Sequence, residues 1–150
     1  MLLKLQGGDN MFKKVTTKDE LSDAFSIRRE VFVHEQGVPI ENELDSYEEV
    51  ATHIVGYAEN GEPFAVARFR TYEDVAKVER VAIKSSYRQG GNGRQLMQFV
   101  EEVAQKEGYS TLVLNAQCQA EHFYRSLGYE AEGEVFLEEN IEHIRMTKHI

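Results

Sequence analysis

Residues 78–94, with the sequence VERVAIKSSYRQGGNGR, decide the fold of this chain. The apolar residues from position 78 to Ile83 are typical of a buried strand. The run Gly90-Gly91-Asn92-Gly93 then interrupts the apolar pattern, and a stripe from Leu96 to Ala104 restores it with helical spacing. The segment therefore predicts a strand that passes into a helix through a glycine-rich turn.

Such a turn is suited to binding phosphate. Glycines let the backbone approach a ligand closely, and the amides at a helix start have no partner within the helix. Arg88 adds a positive charge beside them. The turn is neither a P-loop, since no Gly-Lys-Ser/Thr closes it, nor a dinucleotide-binding fingerprint, since the third glycine is missing. The residues indicate a diphosphate cradle, and a plain glycine-rich connection is the alternative.

The rest of the chain alternates between strand and helix patterns. Thr17 and Glu20 form a capping box before a helix that is expected to end near Gly37. Asn60-Gly61 is a strong hairpin signal, and residues 138–140 are expected to turn a final hairpin. Strands are predicted at 12–16, 52–58, 63–71, 77–83, 111–114, 130–137 and 141–148. This order predicts an α/β layered domain.

Composition restricts the class of protein. The 150 residues are the size of one domain, and 17 basic against 26 acidic side chains give a net charge of −9. This balance argues against a nucleic-acid partner, and no apolar run is long enough to span a membrane. One cysteine, Cys118, excludes an internal disulfide and fits a reducing cytoplasm, which is the expected location.

Residues 1–10 are interpreted as an extension before a single domain at 11–150. The codons for residues 6–11 can encode a purine-rich ribosome-binding site followed by a start codon at Met11. The sequence therefore leaves two starts open, Met1 and Met11, and in the second case the extension is not native and the organism is bacterial.

Two separated motifs resemble the GNAT superfamily of N-acetyltransferases. Arg88-Gln89-Gly90-Gly91-Asn92-Gly93 resembles its Arg/Gln-x-x-Gly-x-Gly/Ala motif, and Phe123-Tyr124-Arg125-Ser126-Leu127-Gly128-Tyr129 resembles the end of its later helix. Residues 28–36, 116–117 and 141–146 are more narrowly similar to the bacterial ElaA/YjcF-type branch. The resemblance implies the α/β (α+β) GNAT fold, a mixed, mostly antiparallel sheet of about seven strands that is splayed at the cofactor cleft, with helices on both faces.

The resemblance also implies acetyl-CoA as co-substrate. In this family acetyl-CoA lies between two splayed strands, here those holding residues 81–83 and 112–115. The main chain of Val81, Ala82 and Ile83 would pair with the pantetheine arm, and Asn115 could bind its amide. The pyrophosphate would be held by the turn, through Arg88, Gln89, Gly90, Gly91, Asn92, Gly93 and Arg94.

Three residues are candidates for catalysis. Tyr124 matches the family's usual acid for the departing thiolate, and packing beside Phe123 is the alternative. Glu79 is the first candidate base, because period-two alternation places its carboxylate on the same face as Val81 and Ile83, and an ion pair with an arginine is the alternative. His143 is the second candidate base, since imidazole titrates near neutral pH.

The function implied by the resemblance is direct acetyl transfer to a primary amine of a small molecule or peptide. A silent acetyl-CoA-binding regulatory module and an acyl-homoserine-lactone-synthase-like acyltransferase are the alternatives. A homodimer is compatible with the family, no metal is expected, and Cys118 is not expected to act as a nucleophile. The acidic residues 41–49, with Glu35, are hypothesised to attract a cationic amine, and a solvated loop is the alternative.

Overall fold

The computed structural model describes residues 2–4 and 10–150 of the chain. The helices are α1 (Lys18–Arg28), α2 (Ile40–Glu43), α3 (Asn92–Lys106) and α4 (Glu121–Ser126). The strands are β1 (Leu2–Lys4), β2 (Met11–Lys14), β3 (Thr52–Tyr57), β4 (Pro63–Tyr72), β5 (Val75–Ile83), β6 (Thr111–Gln117), β7 (Glu130–Glu138) and β8 (Ile141–His149). Among the described residues, no helix is both long enough and apolar enough to cross a bilayer.

The strands form one sheet in the order β1-β2-β3-β4-β5-β6-β8-β7. Every neighbouring pair is antiparallel except β5 and β6, which run parallel. The predicted mixed, mostly antiparallel sheet is therefore confirmed. Seven strands lie within residues 11–150, and β1, from the extension, adds an edge strand beside β2.

The parallel pair β5–β6 is short, and this opens the sheet at its centre. Its ladder covers only the three pairs from Ala76–Leu112 to Val78–Leu114. Beyond the last pair β5 continues to Ile83 and β6 continues to residue 117. The carboxyl-terminal parts of the two strands therefore leave a gap between them, as the family resemblance implied.

A β-bulge at Arg80 changes which residues of β5 share a face. β5 has one extra residue relative to β4, and Arg80 takes a left-handed backbone with φ 57°. Val81 and Ile83 pack with the core beneath α3, whereas Glu79 bonds Arg68 on the opposite face. The prediction that Glu79 shares a face with Val81 and Ile83 is wrong, because alternation is interrupted across a bulge.

Two apolar layers hold the helices against the sheet. The predicted α3 stripe is confirmed, and its members Leu96, Phe99, Val100, Val103 and Ala104 are buried on one face. On the other face α1 contributes a smaller cluster of buried residues. The capping box that starts α1 is present, because the Thr17 side chain accepts from the Glu20 amide and Glu20 bonds back.

The helix continues past α1 towards its predicted end near Gly37, but the π-helical form of its last turns was not predicted. Residues 29–35 form a π-helix directly after α1, and its final turn ends at Gln36. A π-helix has a wider turn than an α-helix and frequently occurs at functional sites. Here the segment contributes Phe32 and Gln36 to the wall of the central cavity.

Candidate active site

A cavity of about 410 Å³ lies where β5 and β6 separate. Its wall brings together five of the residues singled out from the sequence: Glu79, Val81, Asn115, Tyr124 and His143. They come from β5, β6, α4 and β8, so the tertiary fold, and not proximity in the sequence, assembles them. Residues 88–94 lie beyond the end of β5, outside this wall.

The glycine-rich turn has the geometry that a phosphate group requires. Gly90 and Gly91 have φ values of 80° and 84°, and a Cβ at either position would meet no atom within 4 Å. α3 begins at the next residue, and Gly91 supplies no side chain to cap its first amides. The Asn92 side chain donates to the carbonyl of Tyr87 at 2.8 Å and closes the turn. Open backbone and uncapped amides at a helix start fit an anionic phosphate.

Gly93 has a different role from the other two glycines. A Cβ at Gly93 would lie 3.0 Å from the Cζ atom of Phe123, and the adjoining ring carbon is 3.3 Å away. The first turn of α3 therefore packs directly on α4, next to Tyr124. This contact joins the glycine-rich turn to the helix that carries the candidate acid.

Arg88 is held at both ends of its guanidinium. Its Nε donates to the carbonyl of Ile83 at 2.8 Å, and its terminal nitrogens donate to the Glu35 carboxylate at 2.6 and 2.7 Å. Hydrogen bonding from Arg88 lowers the pKa of Glu35 from its ordinary value, although burial opposes this. Glu35 thus faces a cation, so it is not a free charge for attracting an amine.

Tyr124 lies in the cavity wall with its ring buried. The ring makes edge contacts with Phe123 and Tyr129, at centroid distances of 5.1 and 5.7 Å. Burial raises the pKa of the Tyr124 hydroxyl above its ordinary value. The hydroxyl therefore keeps its proton throughout the neutral range and can act as a donor into the cavity.

His143 is buried in the same wall, and its tautomer follows from one contact. Its Nδ1 lies 2.7 Å from the carbonyl oxygen of Ile141, and a carbonyl can only accept, so Nδ1 carries a hydrogen. In the neutral ring, Nε2 then has a lone pair. Nε2 lies 3.7 Å from the Glu138 carboxylate, and the ring stacks on Phe136. His143 can accept a proton at Nε2, and Glu138 would stabilise the resulting charge.

Glu79 is engaged by arginines. Its carboxylate accepts hydrogen bonds from Arg68 at 3.0 Å and from Arg70 at 2.9 and 3.3 Å. Burial alone would raise its pKa, but the hydrogen bond from Arg70 and the charges of Arg68, Arg70 and Lys77 lower it. The ion pair that was the alternative for Glu79 is therefore present in the structure.

The acidic segment after α1 is not a free acidic surface. Arg28 donates to the side chains of Glu43 and Glu48, and Arg68 donates to Asp45 at 2.6 and 2.8 Å. Arginine partners outweigh the effect of burial and lower the pKa of Asp45 and of Glu48 to about 2. The hypothesis that these carboxylates attract a cationic amine is wrong for Glu43, Asp45 and Glu48, because each is already paired.

These contacts belong to one network, which we call the arginine–carboxylate cluster. It consists of five cations and four carboxylates linked by ion pairs: Arg28, Arg68, Arg70, Lys77, Arg80, Glu43, Asp45, Glu48 and Glu79. The cluster joins α1, α2, the segment after α2, β4 and β5. It forms one side of the cavity and fixes the segment at 43–48 against the sheet.

Two features of the wall were not found from the sequence. Gln36 and Gln117 bond each other's side-chain amides, at 2.9 and 3.4 Å, and so tie the π-helix to the end of β6. Arg80 also lines the cavity. A pair 81 residues apart has no local sequence signal, and nothing in the residues around Arg80 marks its side chain as part of a cavity.

Cys118 and the histidines give no sign of further chemistry. Burial, together with the nearby Glu142 and Glu121, raises the pKa of the Cys118 thiol, so it stays protonated. Within residues 2–4 and 10–150, no three acidic, cysteine or histidine side chains come together as metal ligands.

The sequence of the chain is similar to those of known proteins. A family model described as an acetyltransferase (GNAT) domain matches residues 12–150. The uncharacterized N-acetyltransferase YjcF of Bacillus subtilis (strain 168) is 41% identical over 139 residues, which make up 91% of this chain and 99% of that protein.

Two solved structures are similar over nearly the whole chain. An acyl-CoA N-acyltransferase from Pseudomonas aeruginosa is 31% identical, with a TM-score of 0.82, and the match covers 95% of this chain and 99% of that one. Escherichia coli ElaA is 25% identical, with a TM-score of 0.82 and coverage of 99% and 100%.

Proposed function

The chain belongs to the GNAT family of acetyltransferases, and we propose that it transfers an acetyl group from acetyl-CoA directly to a primary amine. The observation that carries the proposal is the combination of three features. These are the uncapped turn at Gly90 and Gly91, the gap between β5 and β6, and the buried Tyr124 hydroxyl in the cavity.

The residues present fit acetyl-CoA. The amides of residues 89–94 would hold the pyrophosphate, with Arg88 beside them. The edge of β5 from Val81 to Ile83 has no ladder partner on the β6 side and would pair with the pantetheine arm, while Asn115 would bind from the opposite strand. Bound there, acetyl-CoA would supply an acetyl group activated as a thioester.

His143 is the better placed of the two candidate bases. An amine reaches the site as an ammonium ion and must lose a proton before it can attack. His143 offers a lone pair at Nε2, whereas both oxygens of Glu79 accept hydrogen bonds from arginines that lower its proton affinity. We therefore assign proton removal to His143 and a positioning role to Glu79, through Arg68 and Arg70.

Tyr124 is assigned to the other proton transfer. Its hydroxyl keeps its hydrogen because burial raises its pKa, so it can donate to the sulfur that departs. The buried aromatic contacts with Phe123 and Tyr129 hold the ring and limit its movement. Proximity of the two bound reactants would supply much of the remaining rate enhancement.

The test is release of free thiol from acetyl-CoA in the presence of a panel of primary amines. We expect release with at least one amine, and binding of CoA in calorimetry. CoA binding without release from any amine would favour the regulatory module. Release with a long-chain acyl-CoA but not with acetyl-CoA would favour the acyl-homoserine-lactone-synthase-like reading.

A further inference from the structure

Arg80 has a backbone that its side chain does not favour. Its φ of 57° lies in the left-handed region, which glycine and asparagine adopt most easily and a long side chain rarely does. Strained residues of this kind are concentrated at functional sites, where surrounding contacts hold them. Here the contacts come from Glu43, whose carbonyl and carboxylate both accept from Arg80 at 2.9–3.2 Å.

The guanidinium of Arg80 is only partly used by these contacts. Nε and one terminal nitrogen bond Glu43 and Asp45, and the other terminal nitrogen has no partner among residues 10–150. The side chain is 25% exposed and lines the cavity. A donor group therefore remains available on a side chain that lines the cavity.

The charges of the arginine–carboxylate cluster leave a positive excess at the same place. Its five cations face four carboxylates, which leaves one positive charge uncompensated within the cluster. Arg28 and Arg68 are fully buried, whereas Arg80 and Lys77 are 25% and 21% exposed and line the cavity. A single carboxylate would balance the excess, and a doubly charged phosphate would exceed it.

The rim of the cavity at the β7–β8 hairpin is negatively charged. Glu138, the last residue of β7, and Glu139, in the turn that follows, line it, and Glu138 lies 3.7 Å from His143. An ammonium group would be favoured near this rim, beside the base that is to deprotonate it. The cavity wall thus offers carboxylates beside His143 for a cation and Arg80 for an anion.

We propose that the acceptor is a primary amine that also carries a carboxylate, such as an amino acid, and that Arg80 binds this carboxylate. The assignment rests on the proposed acetyl transfer and specifies its substrate class. Arg80 then has a reason for its strained backbone, because the bulge turns its side chain into the cavity while Glu43 fixes its orientation.

The experiment compares matched acceptors in the thiol-release assay. Each pair is an amino acid and its carboxamide, with α-amino acids and β-alanine included to vary the spacing. We expect kcat/KM for the acid to exceed that for the amide by about 10-fold or more, as a charge-assisted hydrogen bond would give. In Arg80→Asn, which tolerates the left-handed backbone, this ratio should fall close to one.

Two controls make the result specific. Arg80→Gly also accepts the backbone and should give the same low ratio, whereas Lys18→Asn, an exposed change on α1, should keep the wild-type ratio. Melting temperatures show that each variant is folded. An acid-to-amide ratio near one in the wild type, or an unchanged ratio in folded Arg80→Asn, would overturn the assignment. CoA binding without thiol release from any amine would instead overturn the acetyl transfer on which it rests.

Discussion

Arg88 and Glu35 form a two-point ion pair, with nitrogen–oxygen distances of 2.6 and 2.7 Å. The pair joins the residue before the glycine-rich turn to the last residue of the π-helix. Because both side chains are about 40% exposed, the pair is accessible to solvent and to ions. A pyrophosphate bound at the turn would compete with Glu35 for the same guanidinium.

The first prediction follows from this competition. Glu35→Gln should tighten CoA binding by about 5-fold, because Arg88 would no longer be held by a charged partner. Arg88→Ala should weaken it. Calorimetry with CoA measures both, and Glu102→Gln, which removes a half-buried carboxylate paired with Lys106 on α3, is the matched control. Weaker binding in Glu35→Gln would mean that the pair positions Arg88 and does not compete with the phosphate.

The second prediction concerns the candidate acid. Tyr124→Phe removes one hydroxyl and keeps the buried ring, so the melting temperature should change little. If the hydroxyl protonates the thiolate, kcat at saturating amine should fall about 100-fold. Tyr57→Phe, which removes a hydroxyl bonded to Asp23, is the control and should keep kcat. An unchanged kcat in Tyr124→Phe would assign this residue to packing.

The third prediction separates the two candidate bases. His143→Gln should lower the rate at neutral pH by about 100-fold, and raising the pH towards 10 should recover it, because the amine then loses its proton unaided. Glu79→Gln should mainly lower the melting temperature, since it removes the carboxylate partner of Arg70 and one of the three carboxylates paired with Arg68. If Glu79→Gln shows the recovery at high pH and His143→Gln does not, the two assignments exchange places.

The fourth prediction compares two glutamates that are two residues apart. Glu43 is buried between Arg28 and Arg80, and Glu41 is exposed. Glu43→Gln should reduce the free energy of unfolding by about 1–3 kcal/mol, since Arg28 and Arg80 lose a buried carboxylate and keep only Glu48 and Asp45 as partners. Glu41→Gln should change it by less than about 0.5 kcal/mol. Urea denaturation measures both, and equal effects would show that the loop is simply solvated.

The fifth prediction concerns acid. The pKa values of Asp45 and Glu48 are lowered to about 2 in the folded chain, so the unfolded chain binds their protons first as the pH falls. Burial also lowers the pKa of His53 below 6.5, which acts in the same direction. The contribution of these groups to the free energy of unfolding should be fully present above about pH 6.5 and should decline towards pH 2. The melting temperature should fall by about 10 °C by pH 3. A melting temperature that does not change with pH over this range would contradict the buried ion pairs.

Much of the fold could be predicted because its signals are local. The stripe on α3, the capping box at Thr17 and the hairpin dipeptide at residues 60–61 each depend on residues within a few positions of one another. The structure places all three as expected, and each predicted strand boundary lies within three residues of the observed one. The glycine-rich turn was equally visible, because Gly90 and Gly91 are needed for its left-handed backbone.

The parts that escaped prediction depend on long-range contacts. The bulge at Arg80 has no glycine or asparagine to mark it, and contacts with Glu43, 37 residues away, hold it. Since the period-two rule assumes an unbroken strand, Glu79 was assigned to the wrong face. In the same way, the charges at 43–48 gave no sign of the arginines in α1, β4 and β5 with which they pair.

The contact between Gly93 and Phe123 sets the distance between α3 and α4. The turn and Tyr124 belong to different helices, and the absence of one side chain lets those helices touch. A methyl group at position 93 would push the two helices apart. The hydroxyl would then move relative to the turn while every polar residue of the site remained in place. The spacing between the turn and Tyr124 therefore depends on the missing side chain at Gly93.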